Sequence, residues 1–430
     1  MDEKKYAALK EELEAISVPK EALSYARANG LRRAQKEKRD RKKWMISLIA
    51  TAAFILIFVT SIRVSPAFAQ AVAKIPGFAP FVKMIAYDKG IEDILNNDYY
   101  EKLAISETKN GLTLTLLGII ADESGMIINY QLEAPYDIHK LDTKNVEIKQ
   151  NGENLEAGLT YSWFGKELTN HIEEIIEITS NKELNYANPN FELNITFKDK
   201  QETAFTIPFT LQKEFAKSKD YKLDKNIEID GQKITLNSLK ISPLRARLDI
   251  SLDPANKMQI LKFNTLELLD EKGEKWGTIQ NGLSGFGTER DKEVSYFFQS
   301  NYFREPKSLT LKIDDVQALP KGKDYIEIDF EKKEVVYIPK AIDLELEVVG
   351  NGTFNVTYRN ENPNHLKQMF FQAIDANGET VDSNGSSHSN GDDLVESTYT
   401  FNTIGKTNPI RIYFNSYDNY LKGAADVTLR

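Results

Sequence analysis

NFELNITF, at residues 190–197, alternates apolar and polar residues without a break, and TAFTIPFTL at 203–211 repeats the pattern. In an extended chain every second side chain points the same way, so this period of two places the apolar groups on one face. A helix needs a period near 3.6, which neither stretch has. Both stretches are therefore predicted to be half-buried β-strands, and similar patterns continue from about residue 100 onwards.

Three turn segments share one context along the chain. VEIKQNGENL (146–155), LELLDEKGEKW (266–276) and FQAIDANGETV (371–381) each indicate a strand, a turn and a second strand, between alternating segments on either side. Short strands with turns at this spacing favour β-sandwiches of immunoglobulin-like type over parallel α/β folds. The prediction is a mainly β chain with three such units, at residues 90–212, 213–338 and 339–430.

WMISLIATAAFILIFVTSI, residues 44–62, contains nineteen residues and no charge. At 1.5 Å of rise per residue it is long enough to cross a bilayer as a single helix. Eight Lys or Arg lie between residues 32 and 43, whereas only three follow closely on the other side. This asymmetry predicts a single-pass protein of the cell membrane with a cytoplasmic N-terminus and an extracellular C-terminal region.

The charge of the chain divides at this span. Residues 1–43 carry thirteen Lys or Arg and eight Asp or Glu, a net charge of +5. Because the whole chain carries −9, the remaining residues carry −14. The basic end is expected to be attracted to anionic membrane lipid, and the acidic remainder argues against direct binding of nucleic acid. The chain has no cysteine, which excludes disulfides and thiolate chemistry.

Ala67, Phe68 and Ala69 form an A-x-A pattern just after the span, as at a signal-peptidase site. A cleaved signal peptide would need an n-region of 43 residues, far longer than usual, so permanent anchoring is favoured. Regulated cleavage at this position is kept as an alternative. The linker at 63–89, rich in Pro and aromatic residues, is expected to lie along the outer bilayer surface or to pack under the first β unit.

The tail at residues 1–43 shows helical periodicity. Apolar side chains at Tyr6, Leu9, Leu13 and Ile16 fall on one face, and Leu23 belongs to a thinner stripe that begins after Ser17 and Pro19. Two short helices cannot enclose a core of their own. The segment is therefore interpreted as a docking element that folds on a cytoplasmic partner, with a solvated tail as the alternative.

The sequence offers no catalytic constellation. The four histidines lie far apart, the glycines of NGLSGFG (281–287) do not precede a phosphate-binding helix, and there is no G-x-S-x-G elbow. SNGSSHSNGDD (383–393) lacks the ligand spacing of a calcium loop and is expected to be a flexible polar loop. The chain is accordingly predicted not to be an enzyme, and no cofactor, metal or catalytic residue is assigned.

The order of these elements resembles Gram-positive membrane anti-sigma factors that pair with extracytoplasmic-function sigma factors. The resemblance rests on LKEELEAISVPKEAL (9–23), the basic run ending in KKW, the single span, and VSPAFAQAVAKIPGFAPFVKMI (64–85), which is similar to the sigma-V type. It covers about a fifth of the chain. The exported region does not resemble the lysozyme-binding domain of that type, so no ligand is carried over.

What the resemblance implies is a tail that sequesters a sigma factor and an exported region that senses an envelope signal. Release in this family follows a cut outside the membrane, which Ala67 to Ala69 would suit for signal peptidase, and a second cut by an intramembrane protease. The alternative is an envelope protein whose exported region binds cell-wall polymer or another protein, with no sigma partner.

Overall fold

The computed structural model describes residues 88–161, 168–180, 182–184, 186–278, 285–290, 292–359, 368–390 and 394–430, with five isolated positions before them. These residues are mainly β, in antiparallel sheets, and the helix described over its full length is α1 (Lys89–Asn96). None of the helices in the described part has the length and apolar character needed to cross a membrane. The predicted span at 44–62 lies outside the described residues.

The first sheet pair consists of sheets with the strand orders β1-β2-β3-β7-β6 and β5-β4-β8-β9. Its strands are β1 (Glu101–Lys109), β2 (Leu112–Asp122), β3 (Gly125–Glu133), β4 (Thr143–Gln150), β5 (Glu153–Asn154), β6 (Ala157–Tyr161), β7 (His171–Ser180), β8 (Asn190–Phe197) and β9 (Ala204–Thr210).

The second sheet pair has the orders β10-β11-β12-β16-β15 and β14-β13-β17-β27. Its strands are β10 (Lys219–Ile229), β11 (Gln232–Ile241), β12 (Arg245–Leu252), β13 (Met258–Asp270), β14 (Lys275–Trp276), β15 (Gly285–Phe286), β16 (Glu293–Gln299), β17 (Leu309–Pro320) and, from the far end of the chain, β27 (Ala425–Thr428).

The third sheet pair has the orders β20-β21-β25-β24 and β19-β18-β26-β22-β23. Its strands are β18 (Tyr325–Asp329), β19 (Glu334–Tyr337), β20 (Glu345–Gly350), β21 (Thr353–Arg359), β22 (Phe370–Ile374), β23 (Thr380–Val381), β24 (Ser383–Asn390), β25 (Leu394–Phe401) and β26 (Ile410–Phe414).

The first two pairs have the same strand order, position by position, with β27 in the place that β9 holds in the first pair. In the third pair that place is taken by β18, which precedes the other strands in the chain. The third pair is thus inserted between β17 and β27. The predicted range 339–430 accordingly contains a strand of the second pair, and the predicted range 213–338 contains β18 and β19 of the third.

Each pair encloses one hydrophobic core to which both of its sheets contribute. In the first core, Leu114 and Ile128 come from one sheet and Leu193 and Ile207 from the other, and all four are at most 2% exposed. The apolar positions of NFELNITF therefore point inward, as the alternation predicts. Burial of these faces supplies the main favourable free energy of folding.

The three predicted turn segments join β4 to β5, β13 to β14 and β22 to β23, one in each pair. In the second and third pairs an aspartate organises the turn: Asp270 Oδ1 accepts bonds from the N–H groups of Lys272 and Glu274, each at 2.9 Å. Asp375 Oδ1 makes the equivalent pair of bonds. The first turn is shorter and uses positive φ at Asn151 and Gly152 instead, as hairpin turns require.

The expectation of a flexible loop at 383–393 is wrong for its first eight residues, which form β24. This strand has a polar sequence without apolar alternation, but its backbone pairs along β25, from Ser383 opposite Phe401 to Asn390 opposite Val395. His388 Nδ1 lies 2.8 Å from Ser397 Oγ on the neighbouring strand. A partner strand with strong alternation fixes an edge strand that its own sequence does not predict.

Candidate functional site

The predicted docking residues Tyr6, Leu9, Leu13, Ile16 and Leu23, and the predicted cleavage segment Ala67, Phe68 and Ala69, lie outside the described residues. Three positions of the same tail are described: Ala7, Lys10 and Glu11 are helical and exposed. Contacts divide the chain into two units, Met1–Phe68 and Ala69–Arg430, and the boundary falls inside the predicted cleavage segment. The first continuous stretch of described residues after that segment in the sequence begins with α1 and its N-cap.

α1 begins at a capped end. Asp88 is its N-cap, and one carboxylate oxygen accepts a bond from the N–H of Gly90 at 2.7 Å. Ile91 and Ile94 are buried, at 1% and 0% exposure. Gly90 lies so close to the second sheet pair that an added Cβ would stand 3.0 Å from the backbone nitrogen of Ser300. The helix is therefore packed directly against residues more than 200 positions later in the sequence.

The outer side of α1 carries a network of four charges. Lys89 Nζ lies 2.8 Å from Glu274 Oε1, and Arg304 Nε lies 2.8 Å from Asp93 Oδ2, while Arg304 Nη1 also reaches Glu274 at 3.3 Å. Lys89 and Arg304 both stand over the ring of the buried Trp276, at 5.3 and 5.2 Å from its centroid. Two cations and two carboxylates thus bind α1 to the second pair.

A buried arginine joins the first two sheet pairs. Arg245, at the start of β12, is 2% exposed and its Nη2 lies 3.0 Å from Glu177 Oε1 on β7. Its Nη1 donates to Thr179, and its guanidinium lies 5.3 Å from the ring centroid of Phe297. The ion pair joins the second sheet pair to the first. We call this contact between the first and second sheet pairs, centred on Glu177 and Arg245, the first junction.

Two further carboxyl groups belong to this junction. Asp122, fully buried at the end of β2, accepts a bond from the N–H of Leu244 at 2.6 Å, next to Arg245. Burial raises the pKa of Asp122, although hydrogen bonds from Ser124 and Leu244 and the charge of Arg245 oppose this. Burial also raises the pKa of Asp88 to about 6, with a further increase from the charge of Glu177.

The chain just before α1 contacts the first sheet pair. Phe81 is 2% exposed and its ring meets that of Tyr100 edge-on, with centroids 5.4 Å apart. Tyr100 in turn lies over Gly118 of β2, where an added Cβ would stand 2.2 Å from the tyrosine oxygen. At this position the linker packs under the first β unit, which was one of the two expectations for it.

Sequence reasoning did not identify the residues of the first junction. Arg245 and Arg247 flank an alanine in PLRARLDI, and the alternation predicts that both point away from the core of their own sheet pair. Arg245 is nevertheless buried, because the first pair covers it. The sequence shows only charged residues at strand ends. Such residues are typical of any solvent-exposed sheet edge, so they do not indicate a buried contact.

A cleft of about 390 Å³ also opens between the first and second pairs. Its charged wall is paired internally: Lys240 contacts Glu183 and lies 3.5 Å from Glu123, and Arg247 lies 2.7 Å from Asp249. Within the described parts of the chain, no group of three or more His, Asp or Glu is placed to hold a metal ion. We therefore interpret the cleft as part of the contact between the two pairs.

Two family models match the chain. A domain of unknown function, DUF4179, matches residues 39–134, and a family of unknown function, DUF5643, matches residues 218–348. The first match runs from the basic segment through α1 to β3, and the second from the residue before β10 to β20. Asp88, Asp93 and Asp122 fall in the first match, and Arg245, Glu274 and Arg304 in the second.

Among solved structures, the chain is similar to a conserved domain protein from Bacillus anthracis, at 15% identity and a TM-score of 0.38, over 55% of this chain and 84% of that one. It is also similar to a cycloalternan-forming enzyme from Listeria monocytogenes in complex with a pentasaccharide substrate, at 11% identity and a TM-score of 0.15, over 69% and 29%. At these TM-scores the similarity does not define a shared fold. No curated protein matches the chain.

Proposed function

We propose that this chain is a membrane-anchored regulator of the anti-sigma type. In this proposal the tail at 1–43 holds an extracytoplasmic-function sigma factor inactive in the cytoplasm, and residues 44–62 span the membrane. The exported part, three sheet pairs of immunoglobulin-like type, controls proteolysis of the linker at 63–89. The observation that carries the proposal is the anchoring of α1, the first helix after that linker, by charges from Glu274 and Arg304.

The proposed control is steric. A protease must bind its substrate in an extended form, and a segment that is docked at one end has little freedom to extend. Phe81, buried against Tyr100, and α1, held by Arg304, together fix the end of the linker that leads away from the membrane. A signal that detaches α1 would free the linker for signal peptidase, and an intramembrane protease would then complete release.

The docking face of the tail is tested with Leu9→Asp and Leu13→Asp in the full chain. The readout is transcription from promoters that depend on the sigma factor retained by residues 1–43. A charge placed in an apolar interface costs several kcal/mol, so transcription should rise without an external signal. Lys10→Asp is the matched control because Lys10 is helical and exposed. It should leave transcription unchanged.

The cleavage step is tested with Ala67→Tyr and Ala69→Tyr, which remove the small residues that signal peptidase requires and should keep transcription low under all conditions. Arg304→Glu should act in the opposite sense, because it places a carboxylate beside Asp93 and Glu274 and detaches α1. If residues 1–43 retain no sigma factor and none of these variants changes transcription, the anti-sigma proposal is wrong. An envelope protein without a sigma partner would then be the better description.

A further inference from the structure

The outward faces of equivalent strands differ between the three sheet pairs. β8, β17 and β26 hold the same place in the strand orders, and β9, β27 and β18 lie beside them. The outward residues that face each other on these neighbouring strands are Asn194 and Thr206 in the first pair, Lys312 and Asp426 in the second, and Tyr413 and Tyr325 in the third. Two of these faces are polar, as is usual for a sheet surface in contact with water, and the third is aromatic.

Three tyrosines lie together on this face of the third pair. Tyr325 and Tyr413 point away from the core, because Ile326 and Ile412, next to them in the sequence, point into it and are 0% exposed. The ring centroids of Tyr325 and Tyr413 are 6.1 Å apart, and Tyr337 of β19 lies 5.0 Å from Tyr325. All three rings are half-buried, so each keeps a part in contact with solvent. We call the surface formed by Tyr325, Tyr337 and Tyr413 the tyrosine face.

Charged side chains border the tyrosine face, and their charges are balanced. Arg411 Nε and Nη2 donate to Glu327 Oε1 at 3.0 and 2.8 Å, and the guanidinium lies 4.3 Å from the ring centroid of Tyr325. Arg290, from the second pair, contacts the carboxylate of Asp324 and lies 4.3 Å from the ring centroid of Tyr413. The face therefore offers hydrogen-bond donors and acceptors beside aromatic rings, without a net charge.

The charge balance decides which partner this surface fits. A charged ligand would have to displace Glu327 or Asp324 from its arginine, whereas a neutral ligand leaves both ion pairs intact. A second copy of the chain would bring like charge, because residues 44–430 carry a net charge of −14. Neutral saccharides have the required chemistry, since the C–H faces of sugar rings pack on aromatic rings and their hydroxyl groups bond to guanidinium, carboxylate and phenol groups.

We propose that the tyrosine face binds a neutral oligosaccharide chain. Tyr325, Tyr337 and Tyr413 provide the surface on which sugar rings pack, and Arg411 and Glu327 bond to their hydroxyl groups. This site gives the third pair a ligand of defined chemical class, and it is the same whether or not the tail binds a sigma factor.

Isothermal titration calorimetry of the purified full chain, in a detergent without a sugar head group, tests the binding. The probes are chitotetraose, cellotetraose and maltotetraose, three neutral oligosaccharides that differ in linkage and in N-acetylation. At least one of them should bind. If none binds at about 10 mM, where a site with a Kd of about 1 mM is largely occupied, the proposal is wrong.

Substitutions on the face assign the site. Tyr325→Ala and Tyr413→Ala should each weaken binding about fivefold, as expected for the loss of one aromatic contact. Tyr325→Phe keeps the ring and should bind more tightly than Tyr325→Ala. Unchanged affinity in both alanine variants, or equal affinity of Tyr325→Phe and Tyr325→Ala, would overturn the assignment to this face.

The matched control is Tyr136→Ala, since Tyr136 is a tyrosine of the first pair with 46% exposure. It should leave the affinity unchanged, and an equal loss here would contradict a defined site. Light scattering of the same samples tests for a second copy as the occupant, and we expect a monomer. A dimer that is lost in Tyr325→Ala and Tyr413→Ala would assign the face to self-association and overturn the proposal. Because no sigma factor is present, failure of these experiments is separate from failure of the proposed function.

Discussion

The molecule has two junctions between sheet pairs, and each is bridged by one arginine of the second pair. In the first junction Arg245 is buried and its guanidinium is paired with Glu177 of the first pair. In the second junction Arg290, beside β15, reaches the third pair, where it contacts the carboxylate of Asp324 and donates to the carbonyl oxygens of Asp324 and Phe414 at 3.1 and 3.0 Å.

The difference lies in the burial of the arginine and in chain connections. The side chain of Arg245 is 2% exposed and that of Arg290 is 20% exposed. Arg290 contacts one carboxylate and two neutral carbonyl groups, and its guanidinium lies 4.3 Å from the ring centroid of Tyr413. The third pair is also joined to the second by two chain connections, because it is inserted between β17 and β27. The first pair has only one covalent connection to the second, and its junction contains the buried ion pair of Glu177 and Arg245.

The largest effect is expected for Arg245→Met, which keeps the apolar stem of the side chain and removes the charge. Glu177 would then be buried without its cation, and the loss of one partner from a buried ion pair destabilises by about 3–5 kcal/mol. Native-state hydrogen exchange at the amides of β7 and β12 measures the change.

The control for this substitution is Lys182→Met, since Lys182 and its partner Glu156 are both more than three-quarters exposed. An exposed pair contributes about 0–1 kcal/mol, so its removal should have little effect on the same amides. If the two variants lose equal stability, Arg245 does not hold the first junction as described.

A smaller effect is expected for Arg290→Met, at the second junction. Asp324 would keep its bond from the N–H of Gly322 at 2.9 Å, so its carboxylate is not left without a donor. We expect a loss of about 1–3 kcal/mol, as for a group left partly unsatisfied. Exchange of the β18 and β26 amides measures this loss. A loss as large as that caused by Arg245→Met would contradict the contrast between the junctions.

The smallest effect is expected for Lys89→Met, on the outer side of α1. Lys89 and Glu274 are partly exposed, and Arg304 remains as a second cation for Glu274, so the loss should be about 0.5–1 kcal/mol. Exchange of the α1 amides provides the measurement. A loss as large as that of Arg245→Met would show that the outer network, and not the inner ion pair, dominates the docking of α1.

Much of the fold was predictable because it depends on local patterns. The alternation in NFELNITF predicted β8, and the three turn segments predicted one strand–turn–strand unit in each sheet pair. The position of β27 was not predictable in the same way. VTL at 427–429 is too short to specify a partner, and only packing in three dimensions places the strand beside β17.

The candidate site was not predictable, since its chemistry depends on contacts between distant segments. Glu177 and Arg245 are ordinary charged residues in the sequence, and their burial arises only when β7 and β12 come together. The tail residues from Tyr6 to Leu23 and the segment Ala67 to Ala69 stay predictions. Their evidence is periodicity and resemblance, and the experiments above test them directly.

The insertion of the third sheet pair also sets an order of assembly during synthesis. The ribosome makes β10 to β17 first, then the whole third pair, and only afterwards β27, which pairs with β17 from Thr310 to Ile313. The second pair therefore stays incomplete, with one edge of β17 unpaired, while about a hundred further residues are synthesised and fold. Glu274 and Arg304, which hold α1, belong to that incomplete pair, so the strand that completes its sheet is among the last parts of the chain to be made.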